Sequence, residues 1–152
     1  LVWSLRDDMK FFSETTKGHA VITGRRNYES IPERFRPLPN RANIVITRNS
    51  KYEAPGADVA YSLEAGIDCA KAMGVGDLFI IGGGQIYAES MSKGWVNRLF
   101  ITHVDAAPEG DTFFDLSTLS ANWKEIAIIS DQKADDRNEH AFRIAEYHPS
   151  QA

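Results

Sequence analysis

Three groups of residues in this sequence have the types and spacing to do chemistry. The run Leu78-Phe79-Ile80-Ile81 leads without a polar break into Gly82-Gly83-Gly84, followed by the helix-compatible Gln85-Ile86-Tyr87-Ala88-Glu89-Ser90-Met91. Strand, glycines, helix is an order that sets bare backbone N–H groups and the positive end of a helix dipole against a phosphate. A tight glycine turn between buried elements accounts for the same residues, so the run needs supporting context. A second junction of this form is His19–Thr23, then Gly24-Arg25-Arg26-Asn27, then a short helix from about Tyr28 to Ile31. Two such junctions can hold two ends of an extended phosphate-bearing ligand. Residues 25–51 carry seven basic side chains against two acidic ones, +5 locally, so with −4 for the whole chain the rest carries −9. A basic island on an acidic protein suits a local anionic ligand better than nucleic acid, although a solvated face explains any one of its arginines. The third group is a carboxylate, Asp8, on an otherwise amphipathic helix.

That helix runs from about Leu5 to Thr15. Ser4 is its expected cap, and Asp7 sits at N3 where a carboxylate suits the first turn. At 100° per residue Leu5, Met9 and Phe12 form one stripe, while Arg6, Asp7 and Lys10 point away. Asp8 falls between the directions of Phe11 and Phe12, at the border of the apolar face. A carboxylate held against apolar surface has a raised pKa or a specific partner; a solvated, peripheral Asp8 is the bland alternative.

Further along, the proline-rich Ile31–Arg41 is expected to be irregular. Short strands are expected at Asn43–Thr47 and Asp58–Tyr61. Ser62 caps a helix to about Met73, with Leu63, Ile67, Ala70 and Met73 buried and Gly74 as its stop. Cys69 borders that buried side as a filler. Asn97–Asp105 is a strand, followed by an exposed loop through Glu109-Gly110-Asp111. Asn122–Asp131 and His140–Tyr147 form a late antiparallel pair. Strands alternating with helices predict a single α/β domain over residues 1–152, with a mostly parallel central sheet, helices on both faces and antiparallel C-terminal strands.

Length and composition agree. The 152 residues, 43% hydrophobic and 25% charged, suit one globular domain. No 18-residue apolar run argues for a membrane span. The single cysteine excludes an intrachain disulfide and fits a reducing cytoplasm. The four scattered histidines show no metal-ligand spacing, so no metal is expected.

Trp3, Asp8 and Phe12, then Thr23-Gly24-Arg25, Pro37-Leu38-Pro39-Asn40-Arg41, Ile81 to Tyr87, Thr102-His103 and Glu109-Gly110-Asp111-Thr112, in this order and spacing, resemble bacterial dihydrofolate reductase. The resemblance covers essentially the whole chain. It implies reduction of 7,8-dihydrofolate to tetrahydrofolate by hydride transfer from NADPH, a cytoplasmic monomer, and binding of folate-like and antifolate-type molecules, with neither nucleic acid nor membrane as partner. Asp8 would be the only ionisable side chain at the pterin, bonding its 2-amino group and N3 side. Trp3 would order a nearby water. Phe12, Met9, Ile31 and Leu38, with Ile81, would line the substrate, and Thr102 would bond Asp8. Arg41 would take the glutamate α-carboxylate by a bidentate fork, which Lys cannot reproduce.

On the cofactor side, the resemblance implies an adenosine-binding subdomain at roughly 20–75. Arg25 and Arg48, with Thr47 and Asn49, would receive the 2′-phosphate. Gly24, Arg26 and Asn27, together with Gly83, Gly84, Gln85, Ile86 and Tyr87, would hold the pyrophosphate side, and Gly82-Gly83 would be a cis peptide. Asn27 stands where the family usually has Thr or Ser, and Pro32–Arg36 is longer than in the shortest members. Family members also carry a first strand and a mobile loop before the tryptophan. The resemblance therefore implies that a segment carrying that strand precedes Leu1; without it the sheet neighbours would have unpaired edges and little activity would be expected. Two rivals are a reductase of riboflavin synthesis, against which Trp3 and Asp8 argue, and a nucleotide-binding module without catalysis.

Overall fold

The apolar tripeptide Ala20-Val21-Ile22 forms the centre of the first strand, and all three residues are fully buried. In the computed structural model, which describes residues 6–74, 76–104 and 122–150, this strand is β1 (Ala20–Gly24). It lies between β2 (Ala42–Ile46) and β4 (Leu78–Ile80), both parallel to it, and β3 (Asp58–Ala60) adds outside β2. Parallel strands need crossovers, which helices supply. These are α2 (Arg25–Ser30) between β1 and β2, and α3 (Leu63–Ala72) between β3 and β4.

Period-two alternation splits β2 between two cores. Ile44 packs with Ala20, Ile22, Ala60, Leu63 and Ala70. Its neighbour Val45 faces the other way, onto Tyr28 of α2 and Ala54. Each fully buried aliphatic side chain contributes about 1.5–3 kcal/mol. Ser62 caps α3 by accepting a hydrogen bond from Ala65 N at 3.0 Å, and Gly74 follows in the left-handed region at φ 68°.

Four local expectations change. The helix expected from Tyr28 begins three residues earlier, because Gly24 in extended conformation already serves as its cap. The proline-rich stretch contains a 3-10 turn, Glu33–Phe35, next to a cis peptide at Arg36–Pro37. Met73 is 38% exposed rather than buried. Gly66 instead faces the core: a Cβ there would sit 2.6 Å from Ile46 Cδ1, so the helix lies closer to the sheet than a side chain would allow. Finally, Leu78, Phe79 and Ile80 are each half-buried, so β4 is less covered than its unbroken apolar run suggests.

The described residues divide into two compact units. The one just described spans 14–93 and includes α4 (Gly84–Ser92). The other comprises 1–13 with 94–152. Its three-stranded antiparallel sheet has the order β5 (Leu99–Val104), β7 (Phe142–Pro149), β6 (Trp123–Gln132). The helix α1 (Arg6–Thr16) starts in this unit, where Phe11 packs on Phe142 and Ile144 and meets Phe100 edge-on at 5.5 Å. β4 and β5 are outer strands of their respective sheets. Among the described residues no helix is long and apolar enough to cross a membrane, and no group of three His, Cys, Asp or Glu side chains could hold a metal ion. Trp3, the Ser4 cap, Leu5 and the loop through Glu109-Gly110-Asp111 lie outside the described residues.

Candidate active site

Asp8 is the third residue of α1 and is half-buried. The hydroxyl of Thr102, on β5, donates a hydrogen bond to its Oδ1 at 2.5 Å. Burial pushes the Asp8 carboxyl up from its ordinary value, and the Thr102 hydrogen bond opposes that only in part. Among the described residues, Thr102 holds one Asp8 oxygen and none holds the other. That arrangement can receive a planar donor pair, such as an amino group beside a ring N–H. Phe12 is half-buried one residue beyond Phe11, whereas Met9 is 53% exposed and takes no part in the core. An apolar side chain left open next to a desolvated acid is a surface that a ligand ring would cover.

The unit spanning 14–93 builds its features on its own elements. Arg41 ends the proline-rich segment, where its Nη1 donates to Thr16 Oγ1 at 2.6 Å and its Nε to Pro39 O at 2.8 Å. These two bonds hold the guanidinium in place, and Nη2 with the second N–H of Nη1 can still meet a two-oxygen acceptor. Asn43 holds the segment itself. It is 4% exposed, exchanges two 2.9 Å hydrogen bonds with the Leu38 backbone, and donates to Arg41 O at 3.1 Å. Sequence reading missed this residue, although a polar amide inside the strand Ala-Asn-Ile-Val-Ile is itself a signal of a buried partner. Ile31 and Leu38 are half-buried on the same segment.

The two glycine junctions meet. Gly24 N donates to Gly82 O at 2.8 Å, and Ile81 N donates to Ile22 O at 2.9 Å. Asn27 Nδ2 bonds Thr23 Oγ1 at 2.9 Å and Ile81 O at 3.2 Å, so its side chain fastens one junction to the other. Gly82 has φ 122°, which only glycine adopts readily, and the Gly82–Gly83 peptide is cis. Gly83 caps α4, no side chain caps that helix start, and a Cβ on Gly83 would meet nothing within 4 Å. Gly84, Gln85 and Tyr87 are exposed beside it, and Ile86 is half-buried against the sheet core. An open helix start with bare backbone donors fits a phosphate group.

The basic side of this unit is also assembled. Arg25 lies 5.7 Å from the Tyr52 ring centroid and pairs with Glu29 at 3.7 Å. Tyr52 N in turn bonds Asn49 O at 3.0 Å, which draws the loop after β2 toward Arg25. In that loop Thr47 Oγ1 accepts from Asn49 N at 3.1 Å, while Arg48 is exposed. Arg26 is exposed at the start of α2. These donors fit a dinucleotide carrying an additional phosphate.

Comparison with known proteins places the chain. A family model described as dihydrofolate reductase matches residues 1–149. Dihydrofolate reductase type 3 of Salmonella typhimurium is 43% identical over 143 residues, covering 91% of this chain and 80% of that protein. Dihydrofolate reductase of Bacillus subtilis (strain 168) is 35% identical over 147 residues, covering 97% and 82%. Among solved structures, dihydrofolate reductase from Enterococcus faecalis complexed with NADP(H) and RAB-propyl superposes with a TM-score of 0.81 at 34% identity, covering 99% of this chain and 86% of that one. The chain belongs to the dihydrofolate reductase family.

Proposed function

We propose that this chain reduces 7,8-dihydrofolate to 5,6,7,8-tetrahydrofolate with NADPH, the reaction of its family, and that Asp8 orients the pterin. The observation that carries the assignment of Asp8 is its half-buried carboxyl, pinned through one oxygen by Thr102 on the neighbouring strand. NADPH, when bound, supplies the hydride that reaches C6 of the substrate. Asp8 bonds the 2-amino group and the N3 side of the pterin and polarises the ring, while water brings the proton to N5. Trp3 orders such a water. Phe12, Met9, Ile31, Leu38 and Ile81 supply apolar wall, and Arg41 takes the α-carboxylate of the glutamate end-on. Binding energy at the glutamate, remote from the reacting atoms, is available for orienting the ring.

The cofactor's pyrophosphate lies against Gly24, Arg26, Asn27 and the start of α4, from Gly83 to Tyr87, within or next to an adenosine-binding subdomain at roughly 20–75. Arg25 and Arg48, with Thr47 and Asn49, take the 2′-phosphate. The enzyme works as a cytoplasmic monomer without nucleic acid. The test is oxidation of NADPH by the purified protein with and without dihydrofolate. Oxidation that depends on dihydrofolate and collapses in Asp8→Asn is expected. NADPH binding without such oxidation would leave only a nucleotide-binding module.

A further inference from the structure

The turn between β6 and β7 is exposed over most of its length, half-buried at His140 and Ala141, and fully buried at one residue. Asn138 is 0% exposed, although 133–137 and 139 all lie at the surface. Its carboxamide faces the start of α1. Asn138 Oδ1 accepts from Asp7 N at 3.1 Å, and Nδ2 donates to Asp7 Oδ2 at 2.8 Å. Asp135 Oδ1 fixes the amide in turn, accepting from Asn138 N at 2.8 Å and Nδ2 at 3.2 Å. Beside it, Arg137 O accepts from Arg6 N at 3.1 Å, and the Arg137 guanidinium donates to Asp7 Oδ1 at 3.1 and 3.0 Å. The backbone N–H groups of Arg6 and Asp7, at the start of α1, are thus satisfied by a loop 131 residues away.

We propose that Asn138 and Asp7 are positioning residues for Asp8: together they fix the first turn of α1 so that the next carboxylate stays on Thr102. The inference rests on the catalytic reading of Asp8 above. Adjacent helix residues differ by 100° about the axis, so holding Asp7 from both carboxylate oxygens and its N–H also sets the direction of Asp8. First turns fray most readily, and a fraying turn does not keep a 2.5 Å bond. The linkage also closes on itself. The turn that grips Asp7 runs directly into β7, whose Ile144 stands opposite Thr102 on β5. Both partners of the Asp8–Thr102 bond are therefore referenced to the same hairpin. The exposed Arg137 ion pair adds little by itself; the buried amide sets the geometry.

A kinetic cycle tests this. Asn138→Ala is expected to lower kcat for dihydrofolate reduction about tenfold in the parent, since ångström-scale misplacement of a reacting group has effects of that order or more. In an Asp8→Asn background the same change should alter the residual single-turnover rate less than about twofold, because a residue acting through Asp8 has nothing left to position. Asp7→Asn keeps an oxygen for Asn138 Nδ2 while losing the Arg137 ion pair, so it should rescue most of the rate lost in Asp7→Ala. The affinity for NADPH should remain unchanged throughout. Should Asn138→Ala fail to fold, Asp7→Ala in the same two backgrounds carries the same expectation. Equal rate losses with and without Asp8, or none, would overturn the positioning role. Full turnover in Asp8→Asn itself would instead overturn the catalytic reading on which it rests.

Discussion

At Asp8 the requirements of the fold and of the site oppose one another. Burial raises its pKa in the folded chain. A carboxyl raised in this way contributes stability that is fully present at acid pH and is lost as the pH rises through the folded value. At neutral pH the ionised group is therefore a burden. Asp8→Asn, which keeps an oxygen for the Thr102 hydroxyl, should melt higher than the parent at pH 7 and lose that advantage in acid, while most of its hydride-transfer rate is gone. Thermal melts at several pH values and single-turnover kinetics check both halves. The adjacent Asp7 has the opposite sign. Bonds from Asn138 and Arg137 lower its pKa, so its contribution is present above the ordinary carboxylate value and lost as the pH falls through the folded one. Arg41→Lys should raise KM for dihydrofolate about tenfold or more, roughly 1.4 kcal/mol, with kcat nearly unchanged, because an ammonium cannot present a fork. Arg48→Gln should weaken NADPH about tenfold and leave NADH little affected, as steady-state KM values for the two would show.

What sequence reading reached at this scale depended on residue type and local spacing. Asp8 stood out because 100° geometry put a charge at the edge of an apolar stripe. Asn27 and Asn138 work by reaching residues 54 and 131 positions away along the chain, and no local pattern carries that. Asp7 had a sufficient local explanation as a first-turn carboxylate, which hid its second role. For Asn43, the strand position alone was a clue that went unused.

Among the elements, those with clean punctuation were the most legible. Ser62 and Gly74 bracket α3 as a cap and a left-handed stop, and Ser62→Ala should cost about 1 kcal/mol, lowering Tm by roughly 2–4 °C in a domain of this size. A thermal melt reads this directly. Less legible was the side of α3 that faces the sheet. Apolar periodicity favoured Met73, but the close approach at Gly66 brings the middle of the helix nearest to β2 and leaves its end in solvent. The early start of α2 escaped notice because Gly24, Arg25 and Arg26 read as loop chemistry. Here the glycine is also the helix cap.

For the whole molecule, the α/β class, the parallel strands and the antiparallel tail followed from alternation of strand and helix patterns. The division into a parallel four-stranded and an antiparallel three-stranded sheet did not follow, since pairing of distant strands leaves no mark on local periodicity. The antiparallel sheet has a further property. Its outer strand β6 exposes Ile126, Ile128 and Ile129 at 47%, 57% and 43%, with register shifts between Glu125 and Ala127 and between Ile128 and Ser130. An apolar outer strand is a template on which another chain can add, and bulges of this kind locally break up such a template. Ile128→Lys should accordingly raise the concentration at which the protein scatters light, with turnover unchanged. The shelf life of the purified protein, and not only its chemistry, would then be decided along this strand.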